Sequence, residues 1–219
     1  MRLLLTSGGV TNSSIREALV ELLGKPIEAS SALYIPTAQY GHPMCTPDVT
    51  LRSLAGPQSM TALGWESVGL LELTALPSME GERWILWVES VDALLVDGGD
   101  ATYLAHWIRR SGLLALFPRL ERTVWVGVSA GSMVMTPRIG EQFEQWKSPE
   151  PGEGVLGVVD FSIFPHLDYP TFPENTLAHA EQWAERIEAP AYAIDDQSAV
   201  RVVGTDVDVI SEGQWKRLK

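Results

Sequence analysis

Short apolar strands that end in tight turns and continue into helices recur along this chain, and they limit the folds that it can adopt. Such units are predicted at residues 2–9, 92–99 and 123–131, and each is followed by a helical pattern. Alternating strand and helix units favour a parallel sheet that brings the carboxyl ends of its strands to one rim. We therefore expect a three-layer α/β/α sandwich with a mostly parallel central sheet, with the three turns side by side on that rim.

The third of these units carries the strongest chemical signal. Residues 123–128 are β-branched and aromatic, and Gly127-Val128-Ser129-Ala130-Gly131 then turns the chain sharply into a helix. A serine at such a corner is held above the end of its strand, and the flanking glycines allow other backbone segments to approach closely. The amide of the next residue lies at a helix N-terminus, where negative charge is favoured. Ser129 is therefore the candidate nucleophile.

The remaining pattern alternates in the same way up to the C-terminus. Residues 137–157 are rich in Pro, Gly and Glu and form a long connection of the kind that is often functional. The chain is expected to close with two strands, 191–203 and 207–218, that pair as a β-hairpin. Further strands are predicted at 32–38, 66–73 and 160–168, and helices at 47–63, 79–88, 101–117 and 173–188, the last with Pro173 in its first turn.

Composition excludes several classes of protein. The 219 residues are 45% hydrophobic and 20% charged, with no repeat or linker, so we expect one domain over residues 1–219. Sixteen Lys and Arg against 28 Asp and Glu give a net charge of −12, which repels nucleic acids and anionic membrane surfaces.

The number of cysteines and the hydropathy of the chain lead to expectations about cofactors and the cellular compartment. Cys45 is the only cysteine, and no Cys/His cluster has zinc spacing, so we expect neither a disulfide nor a metal or other cofactor. With no signal-peptide pattern and no apolar run long enough to span a bilayer, a cytoplasmic protein is expected. The sequence leaves the oligomeric state open, with a homodimer among the alternatives.

Three motifs together resemble the peptidase E family. They are Gly-Gly-Asp-Ala-Thr at 98–102, Gly-Val-Ser-Ala-Gly-Ser at 127–132 and Phe-Pro-His at 164–166, and the similarity runs in order from the strand at Arg2 to Asp196. Members are serine dipeptidases with a fold like class I glutamine amidotransferases, and they characteristically cleave after an N-terminal aspartate. The resemblance implies this fold and a small peptide substrate.

The resemblance also implies roles for residues on the rim. Ser129 matches the nucleophile of the family, His166 matches the general base, and the amides of Gly99 and Ala130 match the oxyanion hole. These roles are chemically consistent, because a serine hydroxyl needs an imidazole to take its proton and a tetrahedral oxyanion needs preorganised donors.

The third catalytic residue departs from the family pattern. The family places an acidic residue, often aspartate, about fifteen positions after the serine, and Glu144 occupies that position here. The amidotransferase relatives use a carboxylate two residues after the histidine, which corresponds to Asp168. We favour Glu144 over Asp168 and expect a triad of Ser129, His166 and Glu144.

Two further residues bear on the substrate. Asp100 follows the paired glycines, where some family members have asparagine, and a carboxylate there would disfavour an acidic substrate side chain pointing directly at it. Arg138 is the cation nearest in sequence to the nucleophile helix, which makes it a candidate substrate contact.

Three other functions are considered beside an aspartyl dipeptidase. One is a related amide hydrolase acting on β-aspartyl or amidated substrates, as cyanophycinase-like members of the fold do. Another is an inactive module that binds a small ligand, although the intact Ser129 and His166 argue against it. The third is an α/β-hydrolase esterase, in which the histidine would follow most of the strands, whereas His166 precedes a predicted helix and two further strands.

Overall fold

The computed structural model describes residues 1–219 and contains ten strands and six α-helices. The strands are β1 (Arg2–Thr6), β2 (Ser31–Ile35), β3 (Ser67–Leu70), β4 (Ala93–Val96), β5 (Val124–Val128), β6 (Ser162–Phe164), β7 (Ala191–Ile194), β8 (Ser198–Val203), β9 (Asp206–Ser211) and β10 (Trp215–Arg217). The helices are α1 (Ser13–Leu23), α2 (Pro47–Ala55), α3 (Gly81–Ser90), α4 (Ala101–Arg110), α5 (Ala130–Met133) and α6 (Leu177–Arg186).

The central sheet has seven strands in the order β3-β2-β4-β5-β1-β8-β9. The first five run parallel to one another, whereas β8 pairs antiparallel with β1 and β9 pairs antiparallel with β8. A second sheet of three strands, β10-β7-β6, lies beside it. The expected α/β architecture with a mostly parallel central sheet is confirmed.

Both faces of the central sheet are covered, which explains why β4 and the first four residues of β5 are buried throughout. Helix α1 packs on one face through Ile15, Leu19 and Leu22. Helices α3 and α4 cover the other face, where Trp84 and Leu104 join the larger apolar core. None of the helices has the length and hydropathy needed to cross a membrane.

The C-terminal part differs from its predicted layout. The turn at Gly204, with φ of 60°, joins β8 and β9 as the expected hairpin. The two predicted long strands are nevertheless each divided in two, into β7 and β8 and into β9 and β10. At the first break, the Asp195 carboxylate accepts hydrogen bonds from the Gln197 amide and the Ser198 hydroxyl, which turns the chain. Strand β7, which precedes this bend, belongs to the second sheet, where it pairs with β10 and β6.

Helix α6 also begins later than predicted. Thr176 is its N-cap and accepts a hydrogen bond from the His179 amide, so that Pro173 lies before the helix rather than in its first turn.

Candidate active site

Ser129 occupies the sharp corner between β5 and α5. Its backbone has φ of 50° and ψ of −110°, a conformation that costs energy for a residue with a side chain. The Ser129 amide donates to the carbonyl of Thr6 at 3.1 Å, and the amides of Ser132 and Met133 donate to the Ser129 carbonyl at 2.9 and 2.8 Å. These bonds hold the strained corner in place, as the sequence motif predicts.

The glycines around this corner are required by close packing. A Cβ atom at Gly131 would lie 2.2 Å from the carbonyl oxygen of Val96, and one at Gly127 would lie 2.4 Å from the carbonyl oxygen of Gly131. A Cβ atom at Gly98 would lie 3.5 Å from that of Ser129, so the turn after β4 is directly beside the nucleophile corner. The expectation that these turns share one rim is confirmed.

His166 follows β6 and faces Ser129. Its Nε2 lies 2.9 Å from Ser129 Oγ, which is a hydrogen-bond distance. The residue has φ of 56°, and its backbone amide donates to the hydroxyl of Ser7 at 2.7 Å. The imidazole of His166 is therefore positioned to take a proton from the Ser129 hydroxyl.

Asp196 supplies the carboxylate on the other side of the imidazole. Its Oδ1 lies 2.7 Å from His166 Nδ1 and accepts a second hydrogen bond, also of 2.7 Å, from the Ser7 hydroxyl. Burial alone would raise the pKa of Asp196, but the hydrogen bond and charge of His166, together with the Ser7 hydroxyl, hold this pKa below its usual value. The carboxylate is thus favoured in its ionised form.

The structure corrects the expected third residue. Glu144 is exposed and lines a different groove, next to Arg138 and Arg186, and this groove includes neither Ser129 nor His166. Asp168 is also exposed; its backbone amide donates to the carbonyl of Asn175, and its side chain makes no hydrogen bond to His166.

Sequence reasoning passed over Asp196, although a signal for it was present. The pair Asp195-Asp196 directly follows the buried strand β7, just as Asp97 follows β4. The carboxyl ends of buried strands were expected to form the rim of the site, and Ser129 lies at such an end. What the sequence lacked was the position of β7, which lies in the second sheet beside β6.

The two predicted oxyanion donors also lie at the corner. Gly99 has φ of 137°, and a Cβ atom there would lie 2.2 Å from the carbonyl oxygen of Ala38, so no side chain is accommodated. The Gly99 amide donates to no group in the protein. Ala130 is the first residue of α5, where the amide has no intrahelical acceptor. Both amides are free to bind a substrate oxygen.

Asp100 does not face a substrate, which corrects the expected effect of its charge. It is fully buried and is the N-cap of α4. Its Oδ1 accepts from the Tyr103 amide and the Thr102 hydroxyl, and its Oδ2 accepts from the amides of Gln145 and Trp146. The carboxylate therefore accepts four hydrogen bonds. Because the two amides belong to the long connection after α5, Asp100 fixes this connection to the start of α4.

Arg138 likewise lies away from the candidate nucleophile. Its guanidinium forms an ion pair of 3.3 Å with Glu188, next to the groove that Glu144 lines.

A cleft of about 650 Å³ lies next to the Ser-His pair; Ser129 and His166 do not line it themselves, but Val128, directly before Ser129, does. Gly8, Gly9 and Val128 form one side, and Tyr169 lies at its edge with its ring centre 5.9 Å from that of His166. The ring of Phe172 is also near the imidazole, at 5.1 Å. The cleft has the volume of a small-ligand site.

This arrangement defines the class of protein. A serine on a strained strand-to-helix corner, an imidazole within hydrogen-bond distance and a carboxylate behind it form the nucleophile, base and orienting group of serine hydrolases. The chain belongs to peptidase family S51, whose family model matches residues 3–210. The resemblance to the peptidase E family is thereby confirmed, and the chain is placed among serine peptidases.

Solved structures agree with this fold. A crystal structure at 1.5 Å of a candidate peptidase E from Listeria monocytogenes EGD-e has a TM-score of 0.73 and 19% identity, over 97% of this chain and 98% of that one. A peptidase from an acI-B1 actinobacterium has a TM-score of 0.70 and 19% identity, over 100% of this chain and 90% of that one. No curated protein matches the sequence at a significant level.

Proposed function

We propose that this chain is a single-domain serine peptidase that hydrolyses short peptides through an acyl-enzyme. Ser129 is the nucleophile, His166 the general base and Asp196 the residue that orients the imidazole. The observation that carries this proposal is the continuous hydrogen-bonded chain from Ser129 Oγ through His166 to Asp196, with distances of 2.9 and 2.7 Å.

The first half of the reaction forms the acyl-enzyme. Ser129 Oγ attacks the carbonyl carbon of the scissile bond while His166 Nε2 takes the hydroxyl proton. Asp196 accepts a hydrogen bond from Nδ1 and stabilises the imidazolium that forms. The amides of Gly99 and Ala130 bind the oxyanion of the tetrahedral intermediate, each contributing on the order of 3 kcal/mol.

The second half releases the product and restores the enzyme. The imidazolium of His166 returns its proton to the leaving amine, which breaks the peptide bond and leaves the acyl group on Ser129. Water then attacks the ester carbonyl while His166 takes its proton, and the imidazolium returns this proton to Ser129 Oγ as the ester bond breaks and the N-terminal residue leaves as a free acid. No cofactor or metal is required for these steps.

The specific substrate hypothesis is a dipeptide with N-terminal aspartate, as the family resemblance implies. The volume of the cleft supports a small peptide, and Arg52 is a cation on its lining that could receive a carboxylate. This guanidinium is 69% exposed and pairs with Asp48, an exposed partner that a substrate can replace at small cost. The single cysteine, which cannot form an internal disulfide, fits a peptidase of the cytoplasm.

The test compares the wild type with Ser129→Ala on aspartyl, β-aspartyl, glutamyl and neutral dipeptides, scored by release of free amino acid. We expect the wild type to cleave dipeptides and Ser129→Ala to be inactive with an unchanged circular dichroism spectrum. A fluorophosphonate probe should label the wild type and not the variant. Preference for β-aspartyl substrates would instead favour a cyanophycinase-like hydrolase, and unchanged turnover by Ser129→Ala would contradict the mechanism.

A further inference from the structure

Asp97 lies in the cleft next to the candidate catalytic residues and has no part in the mechanism above. It directly follows β4 and lines the same cleft as Gly9 and Val128, with only 9% of its surface exposed. The next residue, Gly98, is the one whose Cβ position lies 3.5 Å from that of Ser129. A group that reaches Asp97 is therefore close to the scissile bond.

The Asp97 carboxylate is held by neutral donors alone. Tyr34 and Gln39 both donate to its Oδ2, and the Gly98 amide donates to its Oδ1 at 2.8 Å. Asp97 forms no ion pair, because the one arginine on the cleft lining, Arg52, pairs with Asp48 instead. Burial raises the pKa of Asp97, although the hydrogen bonds from its neutral neighbours oppose this rise.

A second acceptor beside Asp97 is also incomplete. The side chain of Gln39 is 97% buried, and its Oε1 has no hydrogen-bond partner in the protein, although its Nε2 donates to Asp97. A buried polar atom without a partner costs free energy unless a ligand or water pairs with it. Gln39 does not line the cleft, so the Asp97 carboxylate is the acceptor that a ligand in the cleft meets.

An ammonium group is the ligand that suits this carboxylate. It carries the positive charge that Asp97 lacks as a partner and three N–H donors that a carboxylate can accept. The net charge of −12 also attracts cations towards the protein at long range.

On the basis of the function proposed above, we propose that Asp97 binds an ammonium group of the peptide substrate, next to the scissile bond. This group is the α-ammonium of the N-terminal residue or a basic side chain on that residue. The first source makes a free N-terminus a requirement and agrees with an N-terminal aspartate. The second source excludes a preference for N-terminal aspartate, because aspartate has an acidic side chain where this source requires a basic one.

The first experiment measures binding without catalysis, by calorimetry on Ser129→Ala. Alanyl-leucine is compared with N-acetyl-alanyl-leucine, and lysyl-leucine with norleucyl-leucine. A tenfold or greater loss of affinity on acetylation assigns the α-ammonium, and a tenfold or greater gain from lysine over norleucine assigns the side chain. Equal affinities within both pairs, or no binding of any of the four peptides, would overturn the proposal.

The second experiment changes the carboxylate itself. Asp97→Asn, made in the Ser129→Ala chain, should remove the difference within the pair that showed one. Asp206→Asn is the matched control, because it makes the same change of charge at an exposed residue of β9 and should keep the difference. If the difference persists in Asp97→Asn, Asp97 is not the binding group.

Folding and turnover are read out separately. Circular dichroism and fluorophosphonate labelling of Asp97→Asn with Ser129 intact show whether that variant folds. If it does not fold, equal affinities within both peptide pairs on the Ser129→Ala chain would still overturn the proposal. Hydrolysis of the same peptides by the wild type tests the proposed function. Peptides that bind through their ammonium group and are not cleaved would contradict the peptidase alone, whereas cleavage without any ammonium preference would contradict only the role of Asp97.

Discussion

At the scale of single residues, the carboxylate behind His166 controls how the imidazole can act. Asp196 holds Nδ1 at 2.7 Å, so the other ring nitrogen is left as the acceptor for the Ser129 proton. Ser7 binds the same Asp196 oxygen and the backbone amide of His166, and thereby fixes both partners. These contacts lead to two predictions about Asp196.

The first prediction concerns activity. Asp196→Asn should lower kcat by on the order of 10⁴-fold with little change in KM, because an amide can hold the wrong tautomer of His166 and carries no charge to stabilise the imidazolium. Glu144→Gln and Asp168→Asn are controls and should stay within a few-fold of the wild type, since neither carboxylate contacts His166. Steady-state kinetics on a dipeptide decides this. A larger loss for Glu144→Gln would return the role to that residue.

The second prediction concerns pH and stability. Because the pKa of Asp196 is lowered in the folded protein, its ionised form stabilises the fold above its unfolded pKa of about 3.9. This stabilisation is lost as the pH falls from there through the folded pKa. In denaturant titrations, the difference in unfolding free energy between the wild type and Asp196→Asn should be constant above about pH 5 and shrink below about pH 4. A difference that grows on acidification would contradict the assignment.

At the scale of elements, two strand-to-helix turns meet so closely that they form one unit. Gly131, in the turn after β5, packs against the end of β4, and the indole of Trp125 donates to the carbonyl of Gly131 at 2.8 Å. On the opposite side, the Ser132 hydroxyl donates to the carbonyl of Thr6 at the end of β1. The corner that carries Ser129 is therefore held by the neighbouring strands rather than by the four-residue helix α5.

The third prediction tests this packing. Gly131→Ala should destabilise the protein by about 1–3 kcal/mol or more and greatly reduce labelling of Ser129, because the new Cβ meets a backbone oxygen that cannot move aside. Gly154→Ala is the matched control, since nothing lies within 4 Å of a Cβ at that residue. Thermal unfolding and fluorophosphonate labelling provide the two measurements. Equal behaviour of the two variants would show that the corner tolerates a side chain.

At the scale of the whole molecule, the candidate site joins two sheets. Ser7 and Ser129 follow the adjacent strands β1 and β5 of the central sheet, whereas His166 and Asp196 follow β6 and β7 of the second sheet. The Ser7 hydroxyl links the two pairs through its bonds to the backbone of His166 and the side chain of Asp196. Correct spacing between nucleophile and base thus depends on how the two sheets pack.

The fourth prediction follows from this link. Ser7→Ala should lower kcat by about tenfold, because it removes one hydrogen bond from Asp196 and leaves the buried His166 amide unpaired, a loss of about 1–3 kcal/mol. KM should change little, since the hydroxyl of Ser7 is fully buried and does not bind substrate in the proposed mechanism. The matched control is Ser13→Ala, an exposed serine at the start of α1. Unchanged kcat in Ser7→Ala would show that the sheets hold the site without it.

The sequence by itself determined the local features of this protein. Apolar strands with glycine turns predicted the parallel sheet, and the residues from Gly127 to Gly131 predicted the exposed corner of Ser129, because both depend on short-range sterics and hydrophobic burial. His166 was identified through its motif, and its Nε2 lies 2.9 Å from Ser129 Oγ. These features can be predicted from the sequence because each is specified within about ten residues of chain.

Only the tertiary structure decided which carboxylate meets His166. Glu144 and Asp168 were chosen for their spacing along the chain, but the contact with Asp196 joins residues 30 apart and depends on the parallel pairing of β6 with β7. The same holds for Asp100, whose four donors include two amides from a segment 45 and 46 residues away. Spacing in sequence cannot report such contacts, because the packing of sheets and loops brings distant strand ends together.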